Sequence, residues 1–255
     1  MIRGMSSAPE KPPIVPRASW FLARYAWGFG LMAALLMLVF GVGWLHAGLS
    51  DFNRMERLAA ERYGNDAVRR VQSLRTVLER IASADERQQI RQINDFFNRN
   101  VRYMSDQQLW GQNDYWATPL ETLGKGAGDC EDYAIAKYAS LRKLGIPDSR
   151  LRLFYVHAQI GAATSNATEV HMVLGYYPTE DAEPLILDNM ISDIRPASRR
   201  SDLTPVFSFN AQGLWPDGAT TSAGDSTARL SRWRDVLERM QAEGINLNSP
   251  IASGR

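Results

Sequence analysis

The chain has 255 residues, 29 of them basic and 28 acidic, so no charge excess points to nucleic acid or an acidic polymer as a partner. Its apolar content of 45% is that of an ordinary globular protein. A single cysteine excludes an internal disulfide framework and a cysteine-based metal cluster.

Residues 1–24 are rich in Pro and Ser and carry Arg3, Lys11, Arg17 and Arg24. Tyr25 to Leu49 then contains no Asp, Glu, Lys or Arg. A helix needs roughly 20 apolar residues to cross the hydrocarbon core, whereas a removable signal uses about 7–15 followed by small residues. The best cleavage candidate, Leu45-His46-Ala47, matches poorly, so 25–49 is expected to be a transmembrane anchor or uncleaved signal. The basic residues precede the span. This places 1–24 in the cytoplasm and the domain from 50 to 255 outside the membrane. Roughly 200 residues suffice for one domain with a substantial core.

Asp51–Gly64 reads as a short amphipathic helix that breaks at Gly64-Asn65. Asp66–Ser83 follows with Val68, Val71, Leu74, Val77, Leu78 and Ile81 at helical spacing. Asp85–Asn100 is another helix, with Ile90, Ile93, Phe96 and Phe97 on one face. Val101–Leu120 is aromatic and turn-rich, and Gly124–Gly128 is expected to be a flexible lead into Asp129-Cys130-Glu131-Asp132. A helix then presents Ala134, Ile135, Tyr138, Leu141 and Leu144 on one buried face, stopped by Gly145-Ile146-Pro147. The period changes in the second half. Leu151–His157, Val170–Tyr177 and Leu185–Leu187 read as strands, Asp217–Ala228 as a loop and Arg229–Glu243 as a helix. Helices followed by an antiparallel sheet make an α+β arrangement.

Cys130 is expected at the first helical position, after Asp129 as N-cap and before Asp132 at N3. A helix start and a nearby imidazole both lower a thiol pKa. His171 lies in the apolar run Val170–Leu174, and Asp188 ends the run Leu185–Leu187. A cysteine on a helix, a histidine on a strand and an aspartate on the next strand supply nucleophile, base and orienting carboxylate. The bland alternative is a buried small cysteine and a satisfied strand histidine; spacing alone leaves the two readings even. His157 is a second candidate base without a comparable downstream carboxylate, and His46 falls in the span. An oxyanion hole needs the Cys130 N–H and one further donor. Trp110, Gln112 and Trp116 are candidates, with core packing the competing role for the tryptophans.

Gly128–Tyr138, His171-Met172-Val173-Leu174 and Leu187-Asp188-Asn189 together resemble the bacterial transglutaminase-like cysteine proteinases. Trp110–Pro119, Pro196–Arg200 and Phe207-Ser208-Phe209-Asn210 carry the same resemblance, which spans roughly residues 60–215. It implies a papain-like core and a Cys130-His171-Asp188 triad. The substrate it implies is a LapA-like surface adhesin cut near its N-terminus at a pair of small residues. It further implies a periplasmic setting and an inhibitory inner-membrane receptor of LapD type that answers to cyclic-di-GMP. The family also binds Ca2+, for which Asp129, Glu131 and Asp132 are the nearby carboxylates; helix capping competes for Asp129 and Asp132. An anchored N-terminus departs from the soluble periplasmic form usual in the family. The competing activities are a transglutaminase-like acyl transfer through the same thioester and a non-catalytic calcium-sensing module.

Overall fold

The computed structural model describes residues 51–161, 167–217, 219 and 221–251. The expected anchor over 25–49 and the segment before it lie outside these residues. Among the described residues no helix is long and apolar enough to cross a membrane.

The described chain starts in a helix, residues 51–63 (α1), which Gly64 ends with a left-handed φ of 82°. Helix α2 (Asn65–Ile81) buries Val71, Leu74, Leu78 and Ile81, while Val68 and Val77 sit half-buried at the edge of that stripe. Asp85 starts α3 (Glu86–Asn100) by accepting the Gln88 N–H at 2.9 Å. Ile90, Ile93, Phe96 and Phe97 then face the core, as their spacing requires.

The glycine-rich lead differs from expectation. Strand β1 (Arg102–Tyr103) is followed by helices α4 (Asp106–Trp110) and α5 (Pro119–Lys125), and then by strand β2 (Ala127–Gly128), which pairs in parallel with β1. Thr118 and Glu121 form a capping box at the head of α5: Thr118 N–H donates to Glu121 Oε2 at 2.8 Å and Glu121 N–H to Thr118 Oγ1 at 3.2 Å. Gly126 closes the helix with φ 61°. The segment 124–128 is therefore a helix end, a cap and a buried strand, and it delivers the chain to Cys130 in a fixed direction.

Helix α6 (Cys130–Lys143) runs through the centre. Periodicity gave it one buried face; it is buried almost all round, including Ala136, Lys137, Ala139 and Ser140. The reason is its position, packed by α3 and α5 and also by the sheet strands β3 (Leu151–Gln159) and β4 (Thr168–Tyr176). A helix enclosed in this way has no wet face to display in its sequence.

The six-stranded antiparallel sheet has the order β6-β5-β4-β3-β7-β8, completed by β5 (Leu185–Leu187), β6 (Arg195–Pro196), β7 (Leu203–Phe209) and β8 (Leu214–Pro216). The last three were not legible as strands: they are short, or, like β7 with Pro205, broken in pattern. The expected C-terminal helix is α8 (Ser231–Ala242), and the stretch expected as a loop ends instead in a short helix, α7 (Ser226–Arg229), with Leu230 extended between the two. Trp233 of α8 is fully buried against Tyr138 and Phe209, and its Nε1–H donates to the Asn210 carbonyl at 3.1 Å.

Candidate active site

Cys130 is the first residue of α6 and half-buried. Its position depends on Gly128 and Asp132. A Cβ on Gly128 would lie 2.6 Å from Asp132 Oδ2, so only glycine allows β2 to pass this close to the helix head. Asp132 is fully buried; its Oδ1 accepts the Ala117 N–H at 2.7 Å and its Oδ2 the Asp129 N–H at 3.3 Å. This carboxylate braces the first turn of α6 against the segment leading into α5.

His171 lies on β4 opposite Val156 of β3. Pairing of Leu174 with Leu187 brings Asp188, the residue after β5, alongside the same part of β4. His171 Nε2 and Asp188 Oδ1 are 2.8 Å apart, and both side chains are buried. Asp188 Oδ1 also accepts the Met190 N–H at 3.0 Å, and its Oδ2 accepts Arg200 Nη2 at 2.7 Å. Burial alone would raise this carboxyl, but the hydrogen bond and charge of His171, with Met190 and Arg200, outweigh it and hold it at about 2. Asp188 is therefore a carboxylate that only accepts, so His171 Nε2 carries the hydrogen of this bond.

The thiol environment corrects one expectation. A helix start lowers a thiol pKa, yet here the Cys130 thiol is pushed well above its usual range. Burial is the largest cause, followed by the charge of Glu131, to which the thiol donates at 2.9 Å, and by Asp129. The Met172 backbone N–H, next to His171, is directed at the sulfur and opposes the shift. This contact sets Cys130 against the strand that carries His171.

The remaining candidates separate. His157 is exposed, on β3 between Val170 and Thr204. Trp116 is buried and stacked on Phe209 at 5.6 Å, in the core-packing role that competes with oxyanion donation. Gln112 is exposed in the loop after α4. Trp110 packs against Tyr115 with ring centroids 4.7 Å apart and the planes tilted by 42°, and its buried indole Nε1 has no hydrogen-bond partner among the described residues.

Beside the thiol the carboxylates crowd together. Asp106, Asp129 and Asp132 bring one oxygen each within 4.8 Å of one another, as do Asp106, Asp114 and Glu131. Asp106 and Asp114 are additions that the sequence reading missed, since they lie in the turn-rich segment before α5. Asp129 Oδ1 and Asp106 Oδ1 are buried with no hydrogen-bond partner among the described residues. Burial, then the charge of Glu131 and its neighbours, pushes Asp129 up to about 10. Burial pushes Asp106 up to about 6, against the pull of the Tyr115 N–H. Crowded, desolvated carboxylates with orphaned oxygens fit a hard divalent cation with oxygen ligands. Asp132 belongs to the same cluster, with both of its oxygens also accepting backbone N–H groups.

Solved structures of Legionella pneumophila LapG are similar to this chain. An EGTA-treated form is 37% identical with a TM-score of 0.63, covering 74% of this chain and 97% of that one. A calcium-bound form is 36% identical with a TM-score of 0.62, covering 74% of this chain and 98% of that one. No match was found among curated proteins. The family model described as bacterial transglutaminase-like cysteine proteinase (BTLCP) matches residues 64–203, a stretch that holds Cys130, His171, Asp188 and the whole acidic cluster. By that match and the LapG likeness, the chain belongs to the bacterial transglutaminase-like cysteine proteinases.

Proposed function

We propose that this chain is a calcium-dependent cysteine endopeptidase of the periplasm, tethered to the inner membrane by residues 25–49, with Cys130, His171 and Asp188 as its catalytic triad. The observation that carries the reading is the 2.8 Å His171–Asp188 pair on a strand whose Met172 N–H is directed at the cysteine heading α6. The family resemblance carried by the Cys130, His171 and Asp188 motifs implies that its substrate is the N-terminal region of a LapA-like adhesin, cut at a pair of small residues. Release of the adhesin promotes biofilm dispersal, and a LapD-like receptor restrains the enzyme when cyclic-di-GMP is high. Tyr103, Val170 and Met190 are large apolar residues left exposed, two of them one or two positions from His171 and Asp188. They give an extended chain or a receptor an apolar rim to bind.

In this mechanism His171 Nδ1 takes the Cys130 proton as the sulfur attacks the scissile carbonyl. The oxyanion meets the Cys130 N–H, which at the first position of α6 has no intrahelical acceptor, and the Trp110 indole N–H. His171 then protonates the departing amine, and later activates the water that hydrolyses the thioester. Asp188 keeps the imidazole in one tautomer and stabilises its charged form. Asp106, Asp129 and Glu131 are the residues that hold Ca2+, with Asp114 and Asp132 beside them. The bound cation supplies positive charge that offsets these carboxylates next to the thiol.

The test is incubation of the full chain with the N-terminal segment of a LapA-like adhesin, with calcium or with EGTA, and sequencing of new N-termini by mass spectrometry. Cleavage with calcium and loss of cleavage in EGTA are expected. Amine incorporation without cleavage replaces the protease reading with acyl transfer, and full activity in Cys130→Ala removes both.

A further inference from the structure

We infer that Arg200 is a positioning residue for this site: by fixing the second oxygen of Asp188 it sets the tautomer of His171. The inference rests on the catalytic reading of Cys130, His171 and Asp188 given above.

Asp188 is gripped at every polar atom of its side chain. Oδ1 takes His171 Nε2 and the Met190 N–H, and Oδ2 takes Arg200 Nη2 at 2.7 Å. Its backbone carbonyl accepts Asn98 Nδ2 from α3 at 2.8 Å. Arg200 is itself only 3% exposed and is locked by a second carboxylate, with Nε 2.9 Å from Asp202 Oδ1 and Nη2 2.7 Å from Asp202 Oδ2. One rigid guanidinium fork thus spans two carboxylates. Lys137 of α6 also faces Asp188, through its charge.

The consequence follows from what a carboxyl can do. With Arg200 on Oδ2, Asp188 stays ionised and accepts from His171 Nε2–H, leaving the Nδ1 lone pair as the base. Without it, Oδ2 is a buried oxygen with no donor, and the group rotates or takes up a proton. A protonated Asp188 donates to Nε2, the ring hydrogen moves to Nδ1, and the lone pair that would take the thiol proton is gone. Arg200 does this without touching the substrate. Nothing about the Arg199-Arg200 pair in Pro196–Arg200 discloses the role in sequence; the β5–β6 hairpin and the turn that follows bring Arg200 back to Asp188.

The test uses the full chain with calcium, the adhesin-segment cleavage assay and 15N-histidine NMR. The protein has three histidines, so the His171 signal is assignable by comparison with His171→Ala. In Arg200→Met we expect kcat to fall by about 10- to 100-fold with KM little changed. The His171 15N pattern should move from Nε2–H toward Nδ1–H. Arg200→Lys, which keeps one charged donor, should recover part of both. Asp202→Asn leaves Arg200 present but loosens it, and should show the same tautomer shift in smaller measure; it serves if Arg200→Met does not fold. Unchanged kcat in Arg200→Met overturns the inference. So does lost kcat with the tautomer unmoved, or, where that variant does not fold, an unmoved tautomer in both Asp202→Asn and Arg200→Lys. Full cleavage by His171→Ala would instead remove the catalytic reading on which the inference stands.

Discussion

His171 Nε2 and Asp188 Oδ1 lie 2.8 Å apart in a place that water does not reach, with the two residues only 3% and 1% exposed. Burial makes the direction of the hydrogen bond matter, because nothing else can orient the imidazole from that side. In Asp188→Asn the amide keeps the shape but can donate to Nε2 and favour the wrong tautomer. We expect kcat to fall by about 10^3- to 10^4-fold with the fold retained, measured by cleavage kinetics and circular dichroism. Activity within twofold of the parent would show that the pair only packs.

The same carboxylate predicts an acid limit. Burial pushes Asp188 up, and His171, Met190 and Arg200 together pull it down to about 2, below its ordinary 3.8. A depressed carboxyl contributes stability that is present above about pH 4 and lost as pH falls toward about pH 2. The difference corresponds to about 2 kcal/mol. Chemical unfolding at a series of acid pH values should show the gap between the parent and Asp188→Asn narrowing across that window. A constant gap would contradict it.

Calcium should change the pH response of the acidic cluster. Asp129 and Asp106 are raised, first by burial and then by neighbouring carboxylates, so without metal their protonated forms stabilise the fold. That contribution is complete at low pH and is lost as pH rises through about 6 and about 10. In EGTA the melting temperature should decline between about pH 5 and about pH 9, and with calcium it should stay nearly level. At neutral pH, calcium binding should release about one proton, read by calorimetry in buffers of different ionisation enthalpy. A level profile in EGTA with no proton release would remove Asp129 from the ligand set.

Gly128→Ala tests the approach of β2 to α6. The new methyl would meet Asp132 Oδ2 at 2.6 Å and Asp132 Cβ at 2.7 Å, and both belong to a side chain tied to Ala117 and Asp129. Relief requires backbone movement. We expect a loss of about 1–3 kcal/mol in unfolding free energy and a displaced nucleophile with little activity. A fully active, equally stable variant would mean that the helix head adjusts freely.

Trp110 and Gln112 are two residues apart and should behave differently. Gln112 is exposed, whereas the Trp110 indole N–H is buried without a partner among the described residues. Gln112→Ala should leave cleavage within twofold. Trp110→Phe keeps the ring but loses the donor and should lower kcat by about 10^2-fold with KM nearly unchanged. Equal effects of the two substitutions would assign the second oxyanion donor elsewhere.

The sequence by itself determined the parts of this protein whose causes are local. The apolar spacing of α2 and α3, the break at Gly64, the helix beginning at Cys130 and the β-rich runs around His171 and before Asp188 could be read because each depends on residues a few positions apart. The capping box of α5, Thr118 with Glu121, is equally local, a signal of two residues three positions apart. Tertiary structure decided the rest. The enclosure of α6 on all sides, the grip of Arg200 on Asp188 and the arrival of Asp106 beside Asp129 depend on segments far apart in the chain, and spacing cannot express them. The thiol shows the division most clearly. Its helix-start position says that the charge on Cys130 is favoured, but burial and the neighbouring carboxylates say the opposite. Desolvation belongs to the folded surroundings of a group, and no local motif carries it.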